Sequence, residues 1–188
     1  MQSKIAGLLC FGYIIYNMRI CKNEIKEKVS ELGKIITNDY QGKDLVVVGL
    51  LKGAFVFMAD LIREINLKYE IDFMMVSSYD GMTQKEIRII LDLKTSISGR
   101  DVLLVEDIID TGKTFKEILT HLKSRHPSSL KTCCLLDKKE CRKISIQPDY
   151  YGFIIPNEFV VGYGMDYNNY YRNMPYIGGY NEIENLER

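Results

Sequence analysis

An excess of charge of either sign is missing from this chain. Its 25 lysines and arginines balance 25 aspartates and glutamates, a formal net charge of zero over 188 residues. No Lys/Arg-rich block stands out, so the basic patch that a nucleic-acid surface requires is absent and no nucleic-acid partner is expected. Paired-cysteine motifs are missing as well. The five cysteines (Cys10, Cys21, Cys133, Cys134, Cys141) are odd in number and contain no C-x-x-C spacing. Cys133 and Cys134 would point to opposite faces of a strand. Reduced structural thiols in a cytoplasmic protein are the better reading. Histidine is scarce: His121 and His126 have no partner spacing for a metal and read as solvated. Long apolar runs are absent too. The stretch 5–16 is too short for a membrane helix, which needs ~20 apolar residues. Only Lys4 supplies a positive flank, and no small-x-small cleavage pattern follows. No membrane partner is expected. Residues 1–17 leave two readings open: a dispensable extension or misassigned start, or an ordered strand or docking segment.

What is present is the composition of an ordinary soluble globular chain, 46% hydrophobic and 27% charged. With no repeat, linker or low-complexity tract, residues 18–188 read as a single domain. Ile25, Val29, Leu32, Ile35 and Ile36 recur at helical spacing, with Asn23 as the N-cap. A continuous apolar run over 44–51 has the character of a strand buried on both faces of a parallel sheet. A helix over 54–65 follows, then strands over 70–77 and 87–93 separated by a polar stretch. Residues 98–100 turn into a strand over 101–105, followed by a helix over 114–124 and a strand over 130–136. Strands alternating with helices of this length imply an α/β fold with a mostly parallel, twisted sheet flanked by helices. From residue 151 onward the chain is aromatic-rich and less regular, which suits a cap over the sheet edge.

The most informative run is Val102–Thr114. An apolar strand ends on two adjacent acids, Glu106 and Asp107; a third acid, Asp110, leads into the turn Thr111-Gly112-Lys113-Thr114, which opens a helix. The carboxyl end of a buried strand is where open α/β sheets bind ligands. Gly112-Lys113-Thr114 would complete a P-loop, but the first glycine of G-x-x-x-x-G-K-[ST] would fall at position 107, which is Asp107. A carboxylate there would face the phosphates that the loop should wrap, so a nucleoside triphosphatase is excluded. Glu106 and Asp107 read either as solvated loop acids or as acceptors for a vicinal diol. Asp110 is either a dipole-favoured residue at a helix start or a reactive carboxylate. Thr111 to Thr114 form a capped turn, or an anion cradle of free N–H groups, with Gly112 permitting a left-handed backbone. Lys52-Gly53 at a strand end is by itself a solvated turn, and Ser78-Tyr79 by itself a hairpin tip.

In this order, the segment resembles the phosphoribosyl-pyrophosphate motif of type I phosphoribosyltransferases. Leu51-Lys52-Gly53 resembles the pyrophosphate loop of the hypoxanthine–guanine branch, and Ser78-Tyr79 the dipeptide of its mobile lid. Leu136-Asp137-Lys138 and the run from Phe159 to Tyr167 resemble its purine pocket, and the run from Arg172 to Gly178 its C-terminal pyrophosphate segment. The resemblance covers about residues 20–180, in the family's order. It implies a type I core with a small hood formed by terminal segments. It also implies transfer of ribose 5-phosphate from phosphoribosyl pyrophosphate to a 6-oxopurine nitrogen, with Mg²⁺ assisting.

The roles implied are specific. Asp110 would be the general acid/base near purine N7. Glu106, Asp107, Thr111, Gly112, Lys113 and Thr114 would hold the donor. Lys52, Gly53 and Arg172 would contact pyrophosphate, where the family often has a non-proline cis bond. Ser78 and Tyr79 would close as a lid. Lys138, Phe159 and Val160 would form the purine pocket. Lysine only donates, so Lys138 suits a 6-oxo group and not a 6-amino group. Asp166, with Glu106 and Asp107, would face Mg²⁺, which prefers carboxylate, water and phosphate oxygens. The partners implied are the purine base, phosphoribosyl pyrophosphate, and further copies of the chain in a homodimer or homotetramer. The alternatives are a phosphoribosyltransferase preferring xanthine or another base, or a non-catalytic regulatory relative that binds the same donor.

Overall fold

The computed structural model describes residues 18–80 and 85–181. The extension expected over 1–17 lies outside the described residues.

Strand β1 (Arg19–Ile20) leads into α1 (Lys22–Asp39), which buries Ile25, Val29, Leu32 and Ile36 along one stripe. The helix begins earlier than the expected Asn23 cap. Cys21 occupies the N-cap position, and the Glu24 carboxylate accepts from its N–H at 2.8 Å. An acid three residues into the helix that reaches back to the cap backbone satisfies a donor left open at a helix start. That reciprocal contact places the boundary.

The chain then builds β2 (Leu45–Leu51), α2 (Phe55–Glu64), β3 (Tyr69–Asp80) and β4 (Lys85–Leu91). It continues through β5 (Asp101–Ile109), α3 (Lys113–Lys123), β6 (Ser129–Asp137), a single 3₁₀ turn (Lys139–Cys141) and β7 (Tyr150–Ile154). Two short strands, β8 (Val160–Val161) and β9 (Ile177–Gly179), close it. The main sheet has six strands in the order β4-β3-β2-β5-β6-β7. Every neighbouring pair is parallel except β3–β4. A mostly parallel sheet with flanking helices is what the alternation predicts.

The pleat sorts alternate residues onto two cores. Leu45, Val47, Leu103, Val105 and Cys133 pack under α1 and α2. Val46, Val48, Val102, Leu104 and Cys134 pack under α3 with Phe115, Ile118 and Leu122. Cys133 and Cys134 thus lie on opposite faces, both free thiols that burial pushes up from the usual range.

Three boundaries differ from the sequence reading. β5 does not stop at Val105: Glu106, Ile108 and Ile109 continue the ladder against Cys134, Leu136 and Asp137 of β6. Ser78 and Tyr79 belong to β3, paired with Ile87 and Glu86, because the hairpin ladder extends into the polar stretch. β7, expected within the irregular cap, is instead a parallel edge strand of the main sheet, held by β6. The cap proper is a second, three-stranded sheet in the order β1-β9-β8, made from both ends of the described chain. That is the hood.

The strand order reverses direction between β2 and β5. From β2 the chain crosses by α2 to β3 on one side; from β5 it crosses by α3 to β6 on the other. Their carboxyl-end loops therefore diverge and leave a crevice, the position where open α/β sheets hold ligands.

Candidate active site

Residues from seven segments line a cavity of about 420 Å³ in that crevice. They include Lys52 and Gly53 after β2, Glu106 and Asp107 in β5, Asp110 and Thr114 around the turn, and Lys138 after β6. The hood side contributes Phe159, Val160, Asp166 and Arg172. Thr111, Gly112 and Lys113 do not line this space. They form the rim at the start of α3, where Gly112 takes the left-handed conformation at φ +81°. Lys113 instead borders a shallow depression with Lys116, Thr120 and Ile144. Val76, on the strand that also carries Ser78 and Tyr79, is among the lining residues.

The floor is acidic and crowded. Asp107 is only 9% exposed, and its N–H donates to Glu106 Oε1 at 3.1 Å. Burial, reinforced by the Asp107 carboxylate beside it, pushes Glu106 well above the usual carboxylate range. A group in that state gains from any cation or hydroxyl donor that enters. The Leu51–Lys52 peptide is cis. Gly53 follows it against the acidic floor: a Cβ there would sit 2.1 Å from Asp107 Oδ2. Only glycine lets this loop lie on that carboxylate.

Lys138 is buried, with Nζ 3.9 Å from Asp110 Oδ2. Asp110 itself is half exposed and opens toward the cavity. Cys141 lies close by, its thiol pushed up by desolvation and by the Asp110 carboxylate. Phe159 is 55% exposed, and Tyr167 and Tyr180 each meet it edge-on with centroids 6.0 Å away. Edge-on neighbours leave a ring face free for stacking. On the far side, Arg172 pairs with Asp166 at 2.5 Å and donates to Gly164 O at 2.6 Å. Two hydrogen bonds fix that guanidinium at the cavity wall.

The acids fit one kind of metal. Glu106, Asp107 and Asp166 supply only oxygen donors, and among the described residues no three His, Cys, Asp or Glu side chains form a self-sufficient cage. Such a set suits an ion that keeps waters and takes part of its shell from substrate phosphates, as Mg²⁺ does, and not one needing a tetrahedral protein site.

Sequence reasoning missed Leu50, Val76 and Ile108, which add apolar lining; Met165, within the run matched to the purine pocket, lines the cavity too. It also missed Arg142, which pairs with buried Asp137 of the Leu136-Asp137-Lys138 run just outside the cavity. The continuing ladder of β5 could have revealed Ile108. Nothing local marks Arg142, which sits in a polar stretch.

The chain matches the family described as "Phosphoribosyl transferase domain" over residues 21–168. It belongs to that family and is a transferase. Within it, a hypoxanthine-guanine phosphoribosyltransferase of Lactococcus lactis is 50% identical over 166 residues, covering 87% of this chain and 90% of the relative. The hypoxanthine phosphoribosyltransferase of Escherichia coli is 51% identical over 159 residues, covering 82% and 89%. A crystal structure of a hypoxanthine phosphoribosyltransferase from Staphylococcus aureus superposes with a TM-score of 0.82 at 52% identity, covering 85% of this chain and 88% of that one.

Proposed function

We propose that this chain is a purine-salvage hypoxanthine phosphoribosyltransferase that also accepts guanine, with residues 18–188 acting as one domain. It transfers ribose 5-phosphate from phosphoribosyl pyrophosphate to the base and releases pyrophosphate. The observation that carries the reading is the single cavity in which Glu106, Asp107, Asp110, Lys138, Phe159 and Arg172 converge. Relatives at about half identity that bear this activity in their names support it.

The residues divide the work. Glu106 and Asp107 accept from the ribose hydroxyls, and their negative charge stabilises the cation-like sugar as the bond to pyrophosphate breaks. The N–H groups of Thr111 to Thr114 hold the 5-phosphate at the start of α3. Lys52, Gly53 and Arg172 face the leaving pyrophosphate. Phe159 stacks on the base, Val160 offers backbone groups to its edge, and Lys138 donates to its 6-oxo group. Asp110 moves the proton at N7, because bonding one imidazole nitrogen to the sugar acidifies the ring. Ser78 and Tyr79, on the edge hairpin, close over the centre and exclude water. Mg²⁺ would be held by Asp166 together with Glu106 and Asp107, and when bound supplies charge neutralisation at the pyrophosphate oxygens.

The deciding assay is base competition with Mg²⁺ and phosphoribosyl pyrophosphate, across hypoxanthine, guanine, xanthine and adenine. Hypoxanthine is consumed and adenine is not. Turnover of adenine, or of no base, overturns the reading. Lys138→Ala weakens hypoxanthine binding by about 10–100-fold, the range for a hydrogen bond to a charged group. It leaves donor affinity within about threefold, since only the base contact is removed. Calorimetric titration with each ligand checks this.

The reading extends to assembly. The chain forms a homodimer or homotetramer, as the resemblance to its family implies. Light scattering coupled to size exclusion gives at least twice the 21.8 kDa chain mass; a monomer at assay concentration overturns it. Among the described residues no helix is long and apolar enough to cross a membrane. Reduced buried thiols support a cytoplasmic setting.

A further inference from the structure

Three hydrogen bonds join the segment that carries Lys138 to the turn that carries Asp110. The Lys138 N–H donates to Ile109 O at 3.0 Å, and the Lys143 N–H donates to Thr111 O at 3.0 Å. Between them, the Arg142 guanidinium donates from Nη1 to Asp110 O at 2.8 Å. Its other terminal nitrogen pairs with Asp137, the buried last residue of β6, and the Arg142 side chain is only 11% exposed. The Arg142 stem also packs against Gly112, where a Cβ would come within 3.2 Å of Cδ. The first two bonds are backbone contacts that any sequence could make. The third is a side chain with a fixed fork, tied at one end to the sheet and at the other to the reactive turn.

From this we propose that Arg142 is a positioning residue that sets Asp110 against the base held by Lys138. Asp137 anchors the fork to the end of β6, one residue before Lys138. The same fork holds the main chain of Asp110. Among the three hydrogen bonds that set the spacing of the two segments, this planar group is the side chain that bridges both. The Asp110 carboxylate itself faces Lys138 at 3.9 Å and the Cys141 thiol, so what the fork adds is a side-chain hold on the main chain from which that carboxylate projects. Lysine cannot replace the fork, because a single ammonium does not present two fixed donor directions. The inference rests on Asp110 acting in the transfer, as proposed above.

The variants separate positioning from plain structure. Arg142→Met leaves Asp137 buried without its partner, so folding suffers for a trivial reason. Arg142→Met combined with Asp137→Asn removes the buried charge and the fork together. Arg142→Lys keeps the charge pair and loses the fork. In the folded double variant and in Arg142→Lys, kcat falls about 10²-fold, the scale for a reacting group displaced by an ångström. KM for base and for donor each stay within about threefold, because the contacts that bind them remain. Added to Asp110→Ala, either change lowers kcat no further, since both act on one proton transfer. Wild-type kcat in either folded variant overturns the positioning role, as does a loss confined to Arg142→Met and restored by the double variant. If Asp110→Ala alone leaves kcat intact, the proton-transfer assignment itself has failed, and that outcome is distinct from failure of Arg142.

Discussion

Asp110→Ala lowers kcat by about 10²–10⁴-fold, the range that a positioned acid or base contributes, while binding of phosphoribosyl pyrophosphate stays near its wild-type value. The split follows from where the residue sits. Asp110 follows the strand that carries Glu106 and Asp107, but its side chain is half exposed and lies beside Lys138 instead of on the acidic floor. Removing it strips no donor-binding acid from the cavity. It does remove the carboxylate 3.9 Å from Lys138, the lysine proposed to read the base. Steady-state kinetics with hypoxanthine, together with calorimetry of the donor alone, separate the two effects. Near-normal turnover in a folded variant would remove Asp110 from the reaction, and an equal loss of donor affinity would move it to the sugar site. Because the change also takes a carboxylate from beside the buried Lys138 ammonium, thermal unfolding is measured alongside, and the kinetic comparison is made on the folded variant.

Gly53→Ala has the second large effect, and it comes from a contact. The added methyl would lie 2.1 Å from Oδ2, 2.5 Å from Cγ and 2.7 Å from Oδ1 of Asp107. Asp107 is short and nearly buried, so it cannot swing away into solvent. Either the carboxylate rotates away from the ribose hydroxyls it is proposed to hold, or the Lys52–Gly53 loop lifts off the floor. Both outcomes damage donor binding. The variant loses about 10²-fold in kcat/KM for phosphoribosyl pyrophosphate, as expected for a misplaced reactive centre. Overpacking also costs it about 1–3 kcal/mol of stability. Donor-dependent kinetics and thermal unfolding measure these separately. Unchanged kcat/KM for the donor would show that Asp107 and the loop do not need their present contact. Ala54, the next residue, is buried at the start of α2 and causes no such crowding.

Much of this molecule was legible in one dimension. The apolar runs that became β2, β5 and β6 are buried on both faces, and a strand in that position has no polar face to hide its pattern. Helices α1, α2 and α3 announced themselves by the stripe each turns to the core. Edges were harder. β7 has one neighbour and keeps an exposed Tyr151 and Ile154, so its pattern resembles irregular chain. β5 runs past its acids because β6 supplies a ladder, and pairing of that kind is invisible to a local window.

The sequence by itself determined the class of fold, the family, and the order of the motifs that surround the cavity, because each is written in residues adjacent along the chain. It also excluded a P-loop, through Asp107. The tertiary structure alone decided that Gly53 lies on Asp107 and that Arg142 ties Asp137 to the Asp110 turn. It likewise kept Lys113 on the rim instead of in the cavity. These facts depend on strand order and on how close two distant segments pack. Such distances are set by the sheet and its crossovers, not by any pattern a short stretch of residues carries.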